Sequence, residues 1–166
     1  MARHAVKRYV RPVMPSSDNI TSAIVDALYE TALDLAEETR ETFERAETAL
    51  NRRRDGEALR AALSRQALRT NTKLMHAMAW LLNHRAFFAG DMSEAQLRRH
   101  GALPPVEPGR PDPLHAFDSE LLDVIERTRG LHARIARLDT VHRAKYASRP
   151  AAPVHRLHDR LGQAFG

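Results

Sequence analysis

The chain reads as an all-α protein: an antiparallel three-helix bundle with long helices, a short extra helix and a proline-rich crossover. Three observations predict this. Leu and Ala dominate a hydrophobic content of 43%, while aromatic residues make up only 5%. Three long stretches keep the 3.6-residue apolar period of an amphipathic helix. No stretch sustains apolar–polar alternation in β-branched residues, so a sheet has no material. At 166 residues the chain suits one domain with a real core.

The first helix is expected to begin near Ser17-Asp18, either of which can cap it, and to run to about Asn51 or Arg54. Ile20, Ile24, Leu28, Leu35, Phe43, Ala46 and Leu50 form its inward stripe, and Asp26, Glu30, Asp34, Glu37, Glu38, Glu41, Glu44 and Glu47 its outer face. Arg52, Arg53 and Arg54 complement the helix dipole, and Asp55-Gly56 marks a turn.

The second helix spans about Glu57 to Ala89, with Leu59, Leu63, Ala67, Leu74, Met78, Leu81 and Leu82 facing inward and Arg60, Arg65, Arg69 and Lys73 on its flank. Gly90 is a natural stop. Its last part, Lys73 to Gly90, is apolar on most faces and carries the only tryptophan, Trp80. A helix of that kind needs cover on several sides, so it belongs at the middle of the bundle or in a subunit interface. Leu74, Met78, Trp80, Leu81 and Leu82 are its candidate core or dimer residues.

Ser93 and Gln96 fit a capping box that opens a short helix ending at Gly101. Pro104, Pro105, Pro108 and Pro111 then make a semi-extended strap. The third long helix is expected from Asp112-Pro113 to about Ala147 through Leu114, Phe117, Leu121, Ile125, Leu131, Ile135, Leu138 and Val141, with Gly130 as a bend or close-packing point. The three long helices would then run up, down and up. The domain organisation is a basic flexible extension over 1–16, a bundle over 17–148 and a flexible tail over 149–166. In that tail Val154, Leu157, Leu161 and Phe165 recur at helical spacing. They form either a partner-docking anchor or a segment folded onto the chain's own bundle.

The net charge of +5 invites a nucleic-acid reading. Its distribution favours internal complementarity: residues 18–50 hold nine acids against Arg40 and Arg45, whereas residues 51–100 hold ten basic groups against four acids. Acidic and basic helices laid side by side attract along their rims. No cysteine is present, so disulfides and thiolate chemistry are excluded. The basic N-terminus lacks an apolar core and a small-residue cleavage site, so it is not a secretory signal. No apolar run approaches the roughly 20 residues that span a bilayer. A cytoplasmic location is expected.

Catalytic, metal and cofactor residues are not expected. A di-iron bundle needs Glu-x-x-His pairs, and none occurs. His155 and His158 stand three apart without an acidic or cysteine partner. His76 and His84, two turns apart, read as core-edge residues that hydrogen-bond locally. The acids of the first helix read as a solvated face, because paired catalytic carboxylates need burial to separate their pKa values. No phosphate loop or nucleophile elbow is present.

Leu28-Tyr29 with Leu35-Ala36-Glu37-Glu38, Thr72-Lys73-Leu74-Met75, Ala79-Trp80-Leu81-Leu82, Arg85-Ala86, Gly90, Ser93, and Leu131 with Arg134-Ile135-Ala136-Arg137-Leu138-Asp139 form a pattern. It resembles the RcdA family, the regulators of CtrA degradation of alphaproteobacteria, over roughly residues 20 to 145. The resemblance implies a homodimeric three-helix bundle without enzymatic activity. It implies an adaptor that delivers protein cargo, such as a master transcription factor, or a second adaptor to the ClpXP protease during the cell cycle. Such a protein would gather at a cell pole only through its partners. Adaptors act by raising effective concentration, so they need docking patches and tethers but no reactive group. The alternative is a basic helical protein that binds nucleic acid or a nucleoid partner.

Overall fold

The computed structural model describes residues 20–52, 56–106 and 116–147, and among them every regular element is a helix. Four are present: α1 (Ser22–Asn51), α2 (Glu57–Ala89), α3 (Glu94–His100) and α4 (Ser119–Ala147). The three long helices all contact one another, and α3 lies against α2.

Local chemistry accounts for most boundaries. Helix α1 starts later than Ser17-Asp18, because Thr21 takes an extended conformation and its hydroxyl accepts from the Ile24 N–H at 3.3 Å. Gly90 ends α2 in the left-handed region at φ 85°, where its N–H reaches Ala86 and Phe87 carbonyls. Ser93 and Gln96 form both halves of the capping box of α3. The start of α4 differs from the Asp112-Pro113 expectation. Asp118 caps it, its carboxylate accepting from the Leu121 N–H at 2.8 Å. Leu114 and residues 112–113 lie outside the described residues, as do the extension over 1–16, Arg53 to Asp55, Pro108, Pro111 and the tail over 149–166.

The direction of α4 is the main correction. Arg45 pairs with Glu120 and Arg127 with Glu38, so α4 runs antiparallel to α1. Trp80 bonds Asp139 while Leu63 clusters with Leu121, so α4 runs parallel to α2. The order is therefore up, down, down. Short connections force antiparallel neighbours, but α2 and α4 are separated by α3 and a long connection, which removes that constraint.

The core falls into two clusters. Val25, Leu28 and Leu35 of α1 meet Leu74, Trp80 and Leu81 of α2 and Ile135 of α4 at one end. Phe43, Leu50, Leu63, Leu121 and Ile125 fill the other. Between them in each helix come buried polar residues: Thr39 and Thr42, Gln66 and Thr70, and Thr128. Gly130 is exposed, and nothing lies within 4 Å of where its Cβ would stand, so it is not a close-packing point. The rim carries the complementarity expected of the charges, with Arg85 to Asp26 at 3.0 Å and Arg127 to Glu38 at 2.7 Å. These pairs are solvent-exposed and contribute about 0 to 1 kcal/mol each.

Candidate protein-docking surface

Helix α2 holds the features that could do work, on two opposite faces. Inward, Trp80 is 1% exposed, and its indole N–H donates to Asp139 Oδ1 of α4 at 2.9 Å. A buried carboxylate needs such a donor, because leaving it unpaired costs several kcal/mol. His84 stacks on the indole at 3.6 Å between centroids, and its Nδ1 lies 2.9 Å from the Trp80 carbonyl oxygen. Burial drives the His84 pKa down to about 4, against a smaller opposing effect of that hydrogen bond. It is buried in the core rather than at its edge, although its hydrogen bond is local as expected.

Outward, α2 presents Leu68 at 70% exposure, Met75 at 69% and Leu82 at 47%. They are seven residues apart. Thr72, Ala79, Ala86 and Ala89 fall between and after them, so the spacing alternates four and three over three heptads. That is the spacing of a coiled-coil seam, with small residues opposite large ones. Successive seam positions point away from Thr70, Ala77 and His84, which are buried against the bundle. Full burial of a Leu or Met is worth about 1.5–3 kcal/mol. Covering what these three still expose would release on the order of 3 to 5 kcal/mol. Phe88, at 38% exposure, extends the apolar surface toward the end of the helix.

The candidate residues therefore separate. Leu74, Trp80 and Leu81 are buried in the protomer's own core, and Met78 is half-buried against it. Leu82 departs from the inward stripe: roughly half a turn round the helix from the buried His84, it points to solvent. Helix α2 is accordingly not covered on all sides, as a position at the middle of the bundle would require. Val154, Leu157, Leu161 and Phe165 lie outside the described residues. The seam at Leu68, Met75 and Ala79 escaped the reading of periodicity because a 3.6-residue stripe and a 3.5-residue stripe coexist on one helix. The sevenfold spacing was its available signal.

No group of three or more metal-ligating side chains occurs among the described residues, and none of their helices is long and apolar enough to cross a membrane. The molecule is thus a helical protein whose most distinctive surface is an unpartnered apolar helix face. Residues 16–165 match the family model described as a protein of unknown function, DUF1465, and the chain belongs to that family. Comparison with curated proteins gives no match, and neither does comparison with solved structures.

Proposed function

We propose that this protein is a non-enzymatic adaptor that works as a homodimer, paired through the outer face of α2. The observation that carries this reading is the exposed Leu68–Met75–Leu82 seam. An antiparallel pairing of two α2 helices about a two-fold axis near Met78 and Ala79 sets Met75 against Leu82 and Leu68 against Ala89. The cations then miss one another, since Arg69 falls opposite Phe88 and Arg85 opposite Thr72. Such a self-complementary patch is what an isologous dimer uses.

The resemblance to RcdA proteins supports the further reading that the cargo, or a second adaptor, is delivered to a ClpXP-type protease in the cytoplasm, as part of cell-cycle proteolysis. Ion pairing of Arg45, Arg85 and Arg127 with carboxylates of α1 and α4 favours this over a nucleic-acid footprint. Sedimentation of the full chain beside Met75→Lys and Leu82→Lys variants tests the dimer. A folded monomer from either variant supports it, and an unchanged dimer from both refutes it. Affinity capture with the same variants tests the adaptor role: protease subunits and regulators should be enriched with the wild-type chain. A capture in which nucleic acid alone is enriched, lost steeply with added salt, would replace this reading with the nucleic-acid one.

A further inference from the structure

We propose that the cleft where the end of α2 meets α3 and the last third of α4 binds a small carboxylate bearing an O–H or N–H donor on the neighbouring carbon. The cleft has a volume of about 170 Å³ and is lined by His84, Leu97, Arg98, Ala102, Asp139 and Arg143, among others. By volume it holds about five or six waters, and it is open on one side, so a longer ligand can extend out of it.

The donor requirement comes from His84. A carbonyl oxygen can only accept, so the contact with the Trp80 carbonyl at 2.9 Å places the ring proton on Nδ1. Nε2 then carries a bare lone pair. The ring that carries it lines the cleft, and its centroid stands 4.9 Å from that of the His142 ring. Nε2 is buried, in a residue only 1% exposed, and has no hydrogen-bond partner. A buried acceptor of this kind is satisfied only by a group that brings a hydrogen. Burial keeps His84 neutral, so Nε2 remains an acceptor at physiological pH.

The anion requirement comes from the mouth. Arg98 of α3 and Arg143 of α4 both line it. Asp139 supplies one negative charge, but its Oδ1 is taken by Trp80 and its Oδ2 lies 3.5 Å from Arg143. Among the residues that line the cleft the two guanidiniums outnumber this carboxylate, with Glu94 of α3 near the cluster but not in the lining, and an arginine presents several donors in the planar fork that suits a carboxylate. Burial lowers the pKa of His142, which holds it toward the neutral form beside them, with Asp139 and Glu94 opposing and Lys145 reinforcing the shift. A carboxylate at the mouth with a donor one carbon deeper matches both ends of the cleft. A 2-hydroxy acid and the last residue of a peptide share that chemistry.

The test titrates the full chain, labelled with ¹⁵N, with L-lactate, N-acetylglycine and acetate, following the His84 ring nitrogens by NMR. Lactate or N-acetylglycine should move the Nε2 signal saturably, with acetate about tenfold weaker for want of the donor. Tighter binding of lactate assigns the site to a free hydroxy acid, and tighter binding of N-acetylglycine to a peptide end. Arg143→Ala should weaken binding about tenfold. Ala102→Leu, at an exposed position that leaves the core untouched, should abolish it. Acetate binding as tightly as the others, saturation undiminished in Ala102→Leu, or no saturable response would each overturn the proposal.

Discussion

The two faces of α2 share one helix and a similar apolar content, yet their chemistry differs. The inner face holds Leu74, Ala77, Trp80, Leu81 and His84, each no more than 4% exposed, and it is knitted to α4 by the bond from Trp80 to Asp139. The outer face holds Leu68, Met75 and Leu82, large and exposed, with the smaller Thr72 and Ala79 between them. Hydrophobicity alone does not say which face makes the fold. Burial specificity does: on the inner face the Trp80 indole N–H and His84 Nδ1 meet named partners, whereas the large side chains of the outer face are apolar and unpartnered. A change at the first should therefore unfold the protomer, and a change at the second should leave it folded.

The largest expected effect is on the inner face. Trp80→Ala removes a buried indole and strips Asp139 of its donor, costing about 3–5 kcal/mol before the unpaired carboxylate is counted. For a chain of this size that lowers the melting temperature on the order of 10 °C or more. A thermal melt near the wild-type value would show that the core does not depend on this contact. Leu81→Lys, one residue further on, should fail to fold. Leu82→Lys, beside it in sequence but 47% exposed, should change the stability of the isolated protomer by less than about 0.5 kcal/mol. Denaturation of the two variants side by side is the sharpest measurement of the comparison.

The pH dependence gives a smaller effect of definite sign. Burial lowers His84 from 6.5 to about 4, and burial lowers His132 and His142 as well. Between those two pH values the unfolded chain takes up a proton at His84 that the folded chain refuses. Stability is then fully present above 6.5 and declines as the pH falls toward 4. Melting temperatures across that interval should fall with acid, and His84→Gln should flatten the slope. A slope as steep in that variant would assign the acid sensitivity to other groups.

The smallest effects separate two glycines. Gly130 lies exposed in the middle of α4 with open space around it, so Gly130→Ala should stabilise by about 0.5–1 kcal/mol. A Cβ on Gly101 would stand 2.5 Å from Leu97, whose side chain and carbonyl it would strike, so Gly101→Ala should destabilise the end of α3. Equilibrium denaturation of the pair reads both signs.

Much of this was legible in the sequence because its causes are local. The span of α2, the stop at Gly90 and the box of Ser93 with Gln96 depend on residues within a turn or two of each other. The cap at Thr21 lost to Ser17-Asp18 in the sequence reading because all three residue types cap well and only the backbone distinguishes them. Asp118 lost to Asp112-Pro113 for a related reason, since a proline pair gives a stronger local signal than a lone aspartate. The candidate surface was only half legible. The sevenfold spacing of Leu68, Met75 and Leu82 was present, but which apolar positions on so greasy a helix face out depends on where two other helices lie.

By itself the sequence determined an all-helical protein with one dominant apolar helix and charges that match along the rim, since periodicity, capping and charge are short-range properties of a chain. The tertiary structure alone decided that α4 runs with α2, because the connection between them is too long to dictate a direction. It alone brought Trp80 to Asp139, 59 residues away in sequence. It also decided which side of α2 was left uncovered, because α1 and α4 pack against the side that carries Trp80 and Leu81.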